Sequence, residues 1–158
     1  MRTASLNFPT GTVISVLMVE DDPHKASRIE SEIREHLGRV RFHYALSVRE
    51  AVQKVEARSY DCIILDIALP SRTRKLGGGA PMSMSSGGLE VLYELADLER
   101  SDPVIIITQY PDIDVEGSLV KISSAKKRLR EYVSANIISV IYFETSSSLW
   151  KQNLRDAL

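Results

Sequence analysis

Five apolar runs of strand length alternate with helical patterns along this chain, and this alternation limits the possible folds more than any other feature. The first run is apolar at nearly every position, as in a strand buried on both faces of a parallel sheet. The alternation predicts an α/β fold, a doubly wound five-stranded parallel sheet with helices on both faces. The runs are TVISVLMV (12–19), VRFHYAL (40–46), DCIILDI (61–67), PVIIIT (103–108) and IISVIYF (137–143).

The segment after the first run carries signals for both ends of a helix. Asp22 can cap it, Pro23 suits the first helical position, and Gly38 ends it. A second helix is indicated by Ser47 and Glu50, which have capping-box spacing. Further helices are predicted over 88–100, over a partly basic stretch at about 116–134, and at the end of the sequence. The apolar stripe of the first helix consists of Ala26, Ile29, Ile33 and Leu37.

Two segments fall outside the alternation. Residues 1–12 are interpreted as a loosely held leader, and residues 13–158 as one domain. Residues 71–87 are rich in glycine and lack hydrophobic periodicity, which predicts an inserted flexible loop. This loop carries Arg72, Arg74 and Lys75 and no acid, so it is interpreted as a lid, a source of cations, or a loop without a role.

Charge and composition exclude several classes of protein. A net charge of −1 makes nucleic acid an unlikely partner for this chain alone, and no apolar run reaches the ~18 residues that span a bilayer. The single cysteine, Cys62, excludes an internal disulfide framework and suits the reducing cytoplasm. A solvated face or a protein-docking surface is the favoured interpretation of the basic residues Lys121, Lys126, Lys127, Arg128 and Arg130.

Acidic residues follow the first and third strands. Glu20, Asp21 and Asp22 end the first run, and Asp66 lies at the end of the third. In parallel sheets the carboxyl ends of the strands form the edge where ligands bind. Converging carboxylates repel one another unless a hard cation such as Mg²⁺ neutralises them, and a carboxylate beside such a cation can attack a phosphoryl group.

Each of these residues also has a simpler interpretation. The Asp pair and Asp66 can be caps, and Thr108, at the end of the fourth strand, can be a β-former. The hydroxyl of Thr108 can instead donate to a phosphoryl oxygen on Asp66. The combination of these residues favours a functional site over separate caps and a β-former, because all of them fall on one edge of the predicted sheet.

These stretches resemble the receiver domain of two-component response regulators. VLMVEDDP resembles its first strand with an acidic pair, and YDCIILDIALP its third strand with the phosphoacceptor aspartate. GGLEVL resembles the start of its third helix, and PVIIITQY its fourth strand with the switch residue. The 45-residue separation of Asp21 and Asp66 is similar to the family's spacing. The resemblance implies the flavodoxin-like strand order 2-1-3-4-5.

The resemblance also implies a function. Asp66 would accept a phosphoryl group from a sensor histidine kinase or a histidine phosphotransfer protein. Glu20, Asp21, Asp66 and the carbonyl of Ala68 would hold Mg²⁺, and Thr108 would act as the switch. The chain would not be an enzyme with an external substrate. Its output would lie in a downstream protein partner or in an output domain missing from this sequence, and homodimerisation stays open.

One departure from the family pattern concerns a lysine at the end of the fifth strand, which normally binds the phosphate. Here the candidates are Tyr142, Phe143 and Glu144, and none is basic. Arg72, Arg74 or Lys75 of the inserted loop is a speculative substitute. The alternative is a pseudo-receiver, an interaction module without phosphoryl switching.

A second rival is a Mg²⁺-dependent phosphohydrolase with Asp66 as nucleophile. Such enzymes usually carry a second acid two residues further on. Position 68 is alanine, which argues against this rival.

Overall fold

The chain folds into a five-stranded parallel sheet with helices on both faces, in a computed structural model that describes residues 5–69 and 87–158. The strand order is β2-β1-β3-β4-β7, and all neighbouring strands run parallel. Because β7 is the fifth strand of this sheet, the predicted fold class and order are confirmed. The strands are β1 (Ile14–Val19), β2 (Val40–Ala45), β3 (Cys62–Leu65), β4 (Val104–Thr108) and β7 (Ile137–Tyr142).

The helices divide between the two faces of the sheet. Ile29 and Trp150 place α1 and α5 over one face, while Val55, Leu92 and Leu129 place the other three helices over the opposite face. Within the described residues no helix has the length and apolar character needed to cross a membrane. The helices are α1 (Pro23–Leu37), α2 (Val48–Ala57), α3 (Gly88–Asp97), α4 (Ile122–Tyr132) and α5 (Leu149–Ala157).

The central strands are apolar on both sides because both sides are buried. In β1, Val16 and Met18 enter the core with α1 and α5, whereas Leu17 and Val19 enter the core with α2, α3 and α4. All four side chains are fully buried. Alternating side chains of one strand therefore fill two separate cores.

Helix α1 begins and ends where the sequence predicts. The Asp22 side chain accepts hydrogen bonds from the backbone N–H groups of His24 and Lys25, at 2.9 and 3.3 Å. Pro23 occupies the first turn, and Gly38 follows the last helical residue. The cap fixes the direction in which the chain leaves β1 and enters α1, and thus places the first turn of α1 beside the acidic edge.

The predicted helix at 116–134 is wrong over its first third. Strands β5 (Asp112–Val115) and β6 (Ser118–Lys121) form an antiparallel hairpin there, and α4 begins at Ile122. Glu116 and Gly117 make the turn with positive φ angles of 51° and 83°, which a right-handed helix does not allow. The hairpin is anchored because Ile113 and Val115 are buried in the core beneath α4.

The two segments outside the alternation are described only in part. In the predicted leader, the Leu6 N–H donates to the carbonyl of Ala157 at 3.0 Å, and Leu6 and Phe8 pack half-buried against the core with α1 and α5. The described part of the leader therefore contacts the domain, and the boundary at residue 12 stays a prediction. The inserted loop lies outside the described residues, Arg72, Arg74 and Lys75 included, except for Gly87 before α3.

Candidate functional site

Two strand ends bring three of the predicted site residues together. Strands β1 and β3 pair with Val19 opposite Leu65, so Glu20 and Asp66 leave the sheet at the same level. The Asp66 N–H donates to the Val19 carbonyl at 2.9 Å. One carboxylate oxygen each from Glu20, Asp21 and Asp66 lies within 4.8 Å of the other two. Three of the four acids that the sequence assigns to this edge thus form one cluster, and the fourth, Asp22, caps α1.

Burial of this cluster is uneven. Glu20 and Asp66 are only 3% and 8% exposed, whereas Asp21 faces solvent. Burial, and then the charge of Asp66, raise the pKa of Glu20 to about 7. Burial also raises the pKa of Asp66, and the neighbouring ammonium of Lys25 opposes both increases. The site therefore favours a positive charge beside these two carboxylates.

Lys25, in the first turn of α1, supplies a positive charge inside the cluster. Its Nζ lies 2.6 Å from Glu20 Oε2 and 3.3 Å from Asp66 Oδ2. It also donates to the carbonyl of Ile107, on β4, at 2.9 Å. The residue is 2% exposed, so these contacts replace its water shell. Lys25 thus connects α1 with the ends of β1, β3 and β4.

The sequence reasoning missed Lys25, although the helix pattern contains a signal for it. Position 25 precedes Ile29 by four residues and therefore lies on the apolar stripe of α1. Lysine on a buried stripe needs an acidic partner, and three acids, Glu20, Asp21 and Asp22, stand just before the helix. The substitutes expected in the inserted loop, Arg72, Arg74 and Lys75, lie outside the described residues.

Backbone N–H groups donate to the second carboxylate oxygen of Glu20 and of Asp66. Glu20 Oε1 accepts from the Asp22 N–H at 3.0 Å, and Asp66 Oδ1 accepts from the Ala68 N–H at 3.1 Å. Each of the two buried carboxylates thus has one oxygen on the backbone and one on Lys25. These bonds fix the orientation of both side chains.

Gly88 passes close to the backbone of Asp66. Its N–H donates to the Ile67 carbonyl at 2.8 Å. A Cβ at this position would lie 2.5 Å from the Asp66 carbonyl oxygen and 2.8 Å from Ile67 Cα. The first residue of α3 therefore has to be glycine for the helix to approach the backbone of Asp66 this closely.

Thr108 is the last residue of β4 and lies on the same edge of the sheet. It is fully buried, and its hydroxyl oxygen accepts from the Tyr110 N–H at 3.2 Å. The Thr108 carbonyl accepts from the Phe143 N–H at 2.7 Å. Thr108 therefore sits between the acidic edge and the end of β7.

One of the three candidates for the lysine position of the family pattern places an aromatic ring at the end of β7. Phe143 is 3% exposed, and its ring centroid lies 4.7 Å from that of Trp150. The Nζ of Lys25 lies 5.9 Å from the Phe143 centroid. Tyr142 and Glu144, the other two candidates for the lysine position, are exposed.

Three basic side chains of α4 have partners within the domain, two of them on the neighbouring strand β7. Lys126 Nζ donates to the Ile138 carbonyl at 2.6 Å, and Arg130 donates to the Ile137 carbonyl at 3.0 Å. Arg128 pairs with Glu131 on the same helix. These contacts favour a structural and solvated role for the basic side chains.

Comparison with known proteins gives a family match and a relative of almost the same length. Residues 16–126 match the family described as response regulator receiver domain. The Detocs response regulatory protein DtcB of Vibrio alginolyticus is 34% identical over 146 residues, which are 90% of this chain and 98% of that protein.

Solved receiver domains share the fold at lower identity. The response regulator TrrA of Thermotoga maritima, in complex with Mg²⁺–BeF, is 20% identical with a TM-score of 0.58, over 92% of this chain and 100% of that one. A receiver domain of a sensor histidine kinase from Pseudomonas aeruginosa, with a magnesium ion in its active site cleft, is 18% identical with a TM-score of 0.56. That match covers 92% of this chain and 98% of the other.

The family match includes the three clustered acids, Lys25 and Thr108. The relative from Vibrio extends the similarity to nearly the whole chain. With the strand order and the acidic edge, these matches show that the chain belongs to the response regulator receiver domain family.

Proposed function

We propose that Asp66 accepts a phosphoryl group from the histidine of a sensor kinase or of a histidine phosphotransfer protein, and that the chain signals by protein–protein contact. The observation that carries this proposal is the cluster of Glu20, Asp21 and Asp66, with oxygens within 4.8 Å of one another. Membership in the receiver family supports it, because the stretch YDCIILDIALP, which contains Asp66, resembles the family's third strand with its phosphoacceptor aspartate.

The donor set of this cluster fits Mg²⁺. Carboxylate oxygens are hard ligands, and Asp21 leaves one side of the cluster open to solvent. Glu20, Asp21, Asp66 and the backbone carbonyl of Ala68 would hold the ion. Bound there, the ion would offset the charge of the transferring phosphoryl group. The Thermotoga and Pseudomonas receivers, which contain magnesium, support this assignment.

In the proposed transfer, a carboxylate oxygen of Asp66 attacks the phosphorus of the phosphohistidine. A P–O bond forms, the P–N bond breaks, and its electron pair stays on the imidazole nitrogen, which takes up a proton. The Ala68 N–H, bonded to Asp66 Oδ1, fixes the carboxylate while the bond forms. The product is an acyl phosphate on Asp66 and a neutral histidine on the donor.

Thr108 is proposed as the residue that responds to phosphorylation. Its hydroxyl oxygen accepts from the Tyr110 N–H, which leaves the hydroxyl hydrogen to donate to a phosphoryl oxygen. A rotation of Thr108 toward the phosphoryl group would break the bond to Tyr110. The segment after β4 would then change conformation together with the site.

Output is proposed to run through the surface formed by α4, β7 and α5. Each of these elements carries an exposed apolar side chain: Tyr132, Tyr142 and Leu149 are 45%, 40% and 65% exposed. A downstream protein partner, an output domain of the same regulator, or a second copy of the chain would contact this surface. Exposed aromatic and aliphatic groups are the anchors that such contacts use.

The phosphoacceptor role is tested with a small-molecule phosphodonor and Mg²⁺, read by intact mass and by digestion to locate the modified residue. The wild-type chain should gain one phosphoryl group, and Asp66→Asn should gain none. Asp97→Asn makes the same chemical change at an exposed position and should react like wild type.

The pseudo-receiver is the second candidate, favoured by the absence of a basic residue among Tyr142, Phe143 and Glu144. It predicts that the wild-type chain stays unmodified by the phosphodonor and unchanged by beryllofluoride with Mg²⁺. Phosphorylation at a residue other than Asp66 would contradict both candidates.

A further inference from the structure

The ammonium of Lys25 is buried, and hydrogen-bond acceptors surround it. An ammonium has three hydrogens, and Glu20, Asp66 and the Ile107 carbonyl lie within contact distance of its nitrogen. Burying a charge costs several kcal/mol unless such partners replace its water shell. Lys25 is stable here because it has these partners, and one of them is Asp66, the proposed reacting carboxylate.

The charges of the site need a cation in addition to the metal. The ionised carboxylates of Glu20, Asp21 and Asp66 contribute −3, and Lys25 reduces this sum to −2. A divalent ion brings it to zero, and the dianionic phosphoryl group on Asp66 returns it to −1. Without Lys25 the phosphorylated, metal-loaded site would carry −2 in a largely buried place, where like charges repel most strongly.

Phe143 is buried at the end of β7 and lies close to Lys25 of α1. Its ring fills the buried end of β7, and the Lys25 ammonium lies 5.9 Å from the ring centroid. This distance is within the range of a cation–π contact. The ring therefore occupies the strand end and supports a lysine that reaches the site from the neighbouring helix.

We propose that Lys25 binds the phosphoryl group on Asp66, so that a lysine of α1 supplies the cation that the end of β7 lacks. This inference rests on the proposed phosphoacceptor function. Lys25 contacts Asp66 Oδ2, and a phosphoryl group on Asp66 adds its oxygens beside that contact. Because Lys25 also holds the carbonyl of Ile107, next to Thr108, the same side chain links the phosphoryl group to the proposed switch.

The test compares Mg²⁺ binding with beryllofluoride binding at saturating Mg²⁺ in wild type and in Lys25→Met. The single tryptophan, Trp150, packs on Phe143 and serves as the fluorescent reporter. Lys25→Met should weaken beryllofluoride binding by roughly tenfold to a hundredfold, the worth of a hydrogen bond to a charged group. It should tighten Mg²⁺ binding, because the carboxylates lose a competing cation.

Opposite changes in the two affinities distinguish phosphate binding from a structural role. If Lys25 only supports the fold, its loss should weaken both ligands together, and that outcome overturns the inference. Lys127→Met, at an exposed position of α4, is the matched control and should change neither affinity. The charge-preserving Lys25→Arg should keep beryllofluoride binding closer to wild type than Lys25→Met does.

One further readout covers the case in which the variant does not fold. If Lys25→Met does not fold, the side-chain NMR signal of Lys25 in wild type, assigned with Lys25→Arg, is followed during beryllofluoride titration. A shift beyond that caused by Mg²⁺ supports the inference, and an unchanged signal overturns it. If wild type itself does not bind beryllofluoride, the phosphoacceptor proposal fails. If wild type and Lys25→Met bind it equally, only the role of Lys25 fails.

Discussion

Replacing Gly88 with alanine should disturb Asp66 through the backbone. The new Cβ would lie 2.5 Å from the Asp66 carbonyl oxygen and 2.8 Å from Ile67 Cα, and neither atom can rotate away. Overpacking of this kind costs about 1–3 kcal/mol. The gain in helix propensity from glycine to alanine offsets up to about 1 kcal/mol of it. With the full offset the net cost is about 0–2 kcal/mol, which for a chain of this size corresponds to a fall in Tm of at most roughly 8 °C.

The functional effect of Gly88→Ala should exceed its effect on stability. A misplacement of about 1 Å costs a reacting group up to ~100-fold in effectiveness, so a smaller shift of Asp66 should lower beryllofluoride affinity by roughly tenfold. Thermal unfolding measures the change in stability, and beryllofluoride titration at saturating Mg²⁺ measures the functional effect. Gly11→Ala is the control, because its Cβ meets no atom within 4 Å while its φ of 86° strains the backbone. It should lose stability and keep beryllofluoride affinity. A Gly88→Ala variant with unchanged Tm and unchanged affinity would refute the reasoning.

Three further predictions concern the fold. Ile113→Ala empties a buried position of the hairpin and should lower stability by about 2–4 kcal/mol, whereas Leu119→Ala, at a residue 79% exposed, should change it little; denaturant unfolding compares the two. Asp22→Ala removes the cap of α1 and should cost about 0.5–2 kcal/mol, measured in the same way; an unchanged midpoint would mean that the cap adds nothing. Burial raises the pKa of Asp102, but the hydrogen bonds and charge of Arg100 outweigh it and hold that pKa below its usual value. The stabilisation that ionised Asp102 contributes is therefore present above the unfolded pKa of about 4, and it is lost as the pH falls through the lower folded pKa. Asp102→Asn should lower Tm at neutral pH and differ little from wild type near pH 2, as a pH series of melting curves would show.

Local signals made the sheet and the first helix predictable. The apolar runs are long because β1, β3 and β4 are buried on both faces, and such runs are visible without tertiary knowledge. The cap at Asp22 and the end at Gly38 depend on residues within a few positions of each other. The convergence of Glu20 and Asp66 followed from one assumption, adjacency of β1 and β3, which the register confirms.

The hairpin was missed although its pattern has period two. Asp112 and Asp114 alternate with the buried Ile113 and Val115, followed by a turn at Gly117. The basic residues that follow have strong helix propensity, and the prediction extended their helix backwards over the turn and β6. Two short strands give a weaker signal than the helix after them, so the boundary was placed too early.

Lys25 was missed for a different reason. Its position four residues before Ile29 indicated burial, but no spacing along the chain reports that the side chain reaches from α1 to β3 and β4. A lysine near a helix start is usually exposed, with its stem along the surface. Its burial follows from the packing of α1 on the sheet.

Two hydrogen bonds, one from α1 and one from the end of β7, hold the end of β4, and they limit where the chain can move. The carbonyl of Ile107 is bonded to Lys25, and the next carbonyl, that of Thr108, is bonded to the Phe143 N–H. A rearrangement that keeps both bonds has to pivot beyond Thr108. Residues 109 and 110 are exposed and lie between β4 and the hairpin, so such a pivot would fall there.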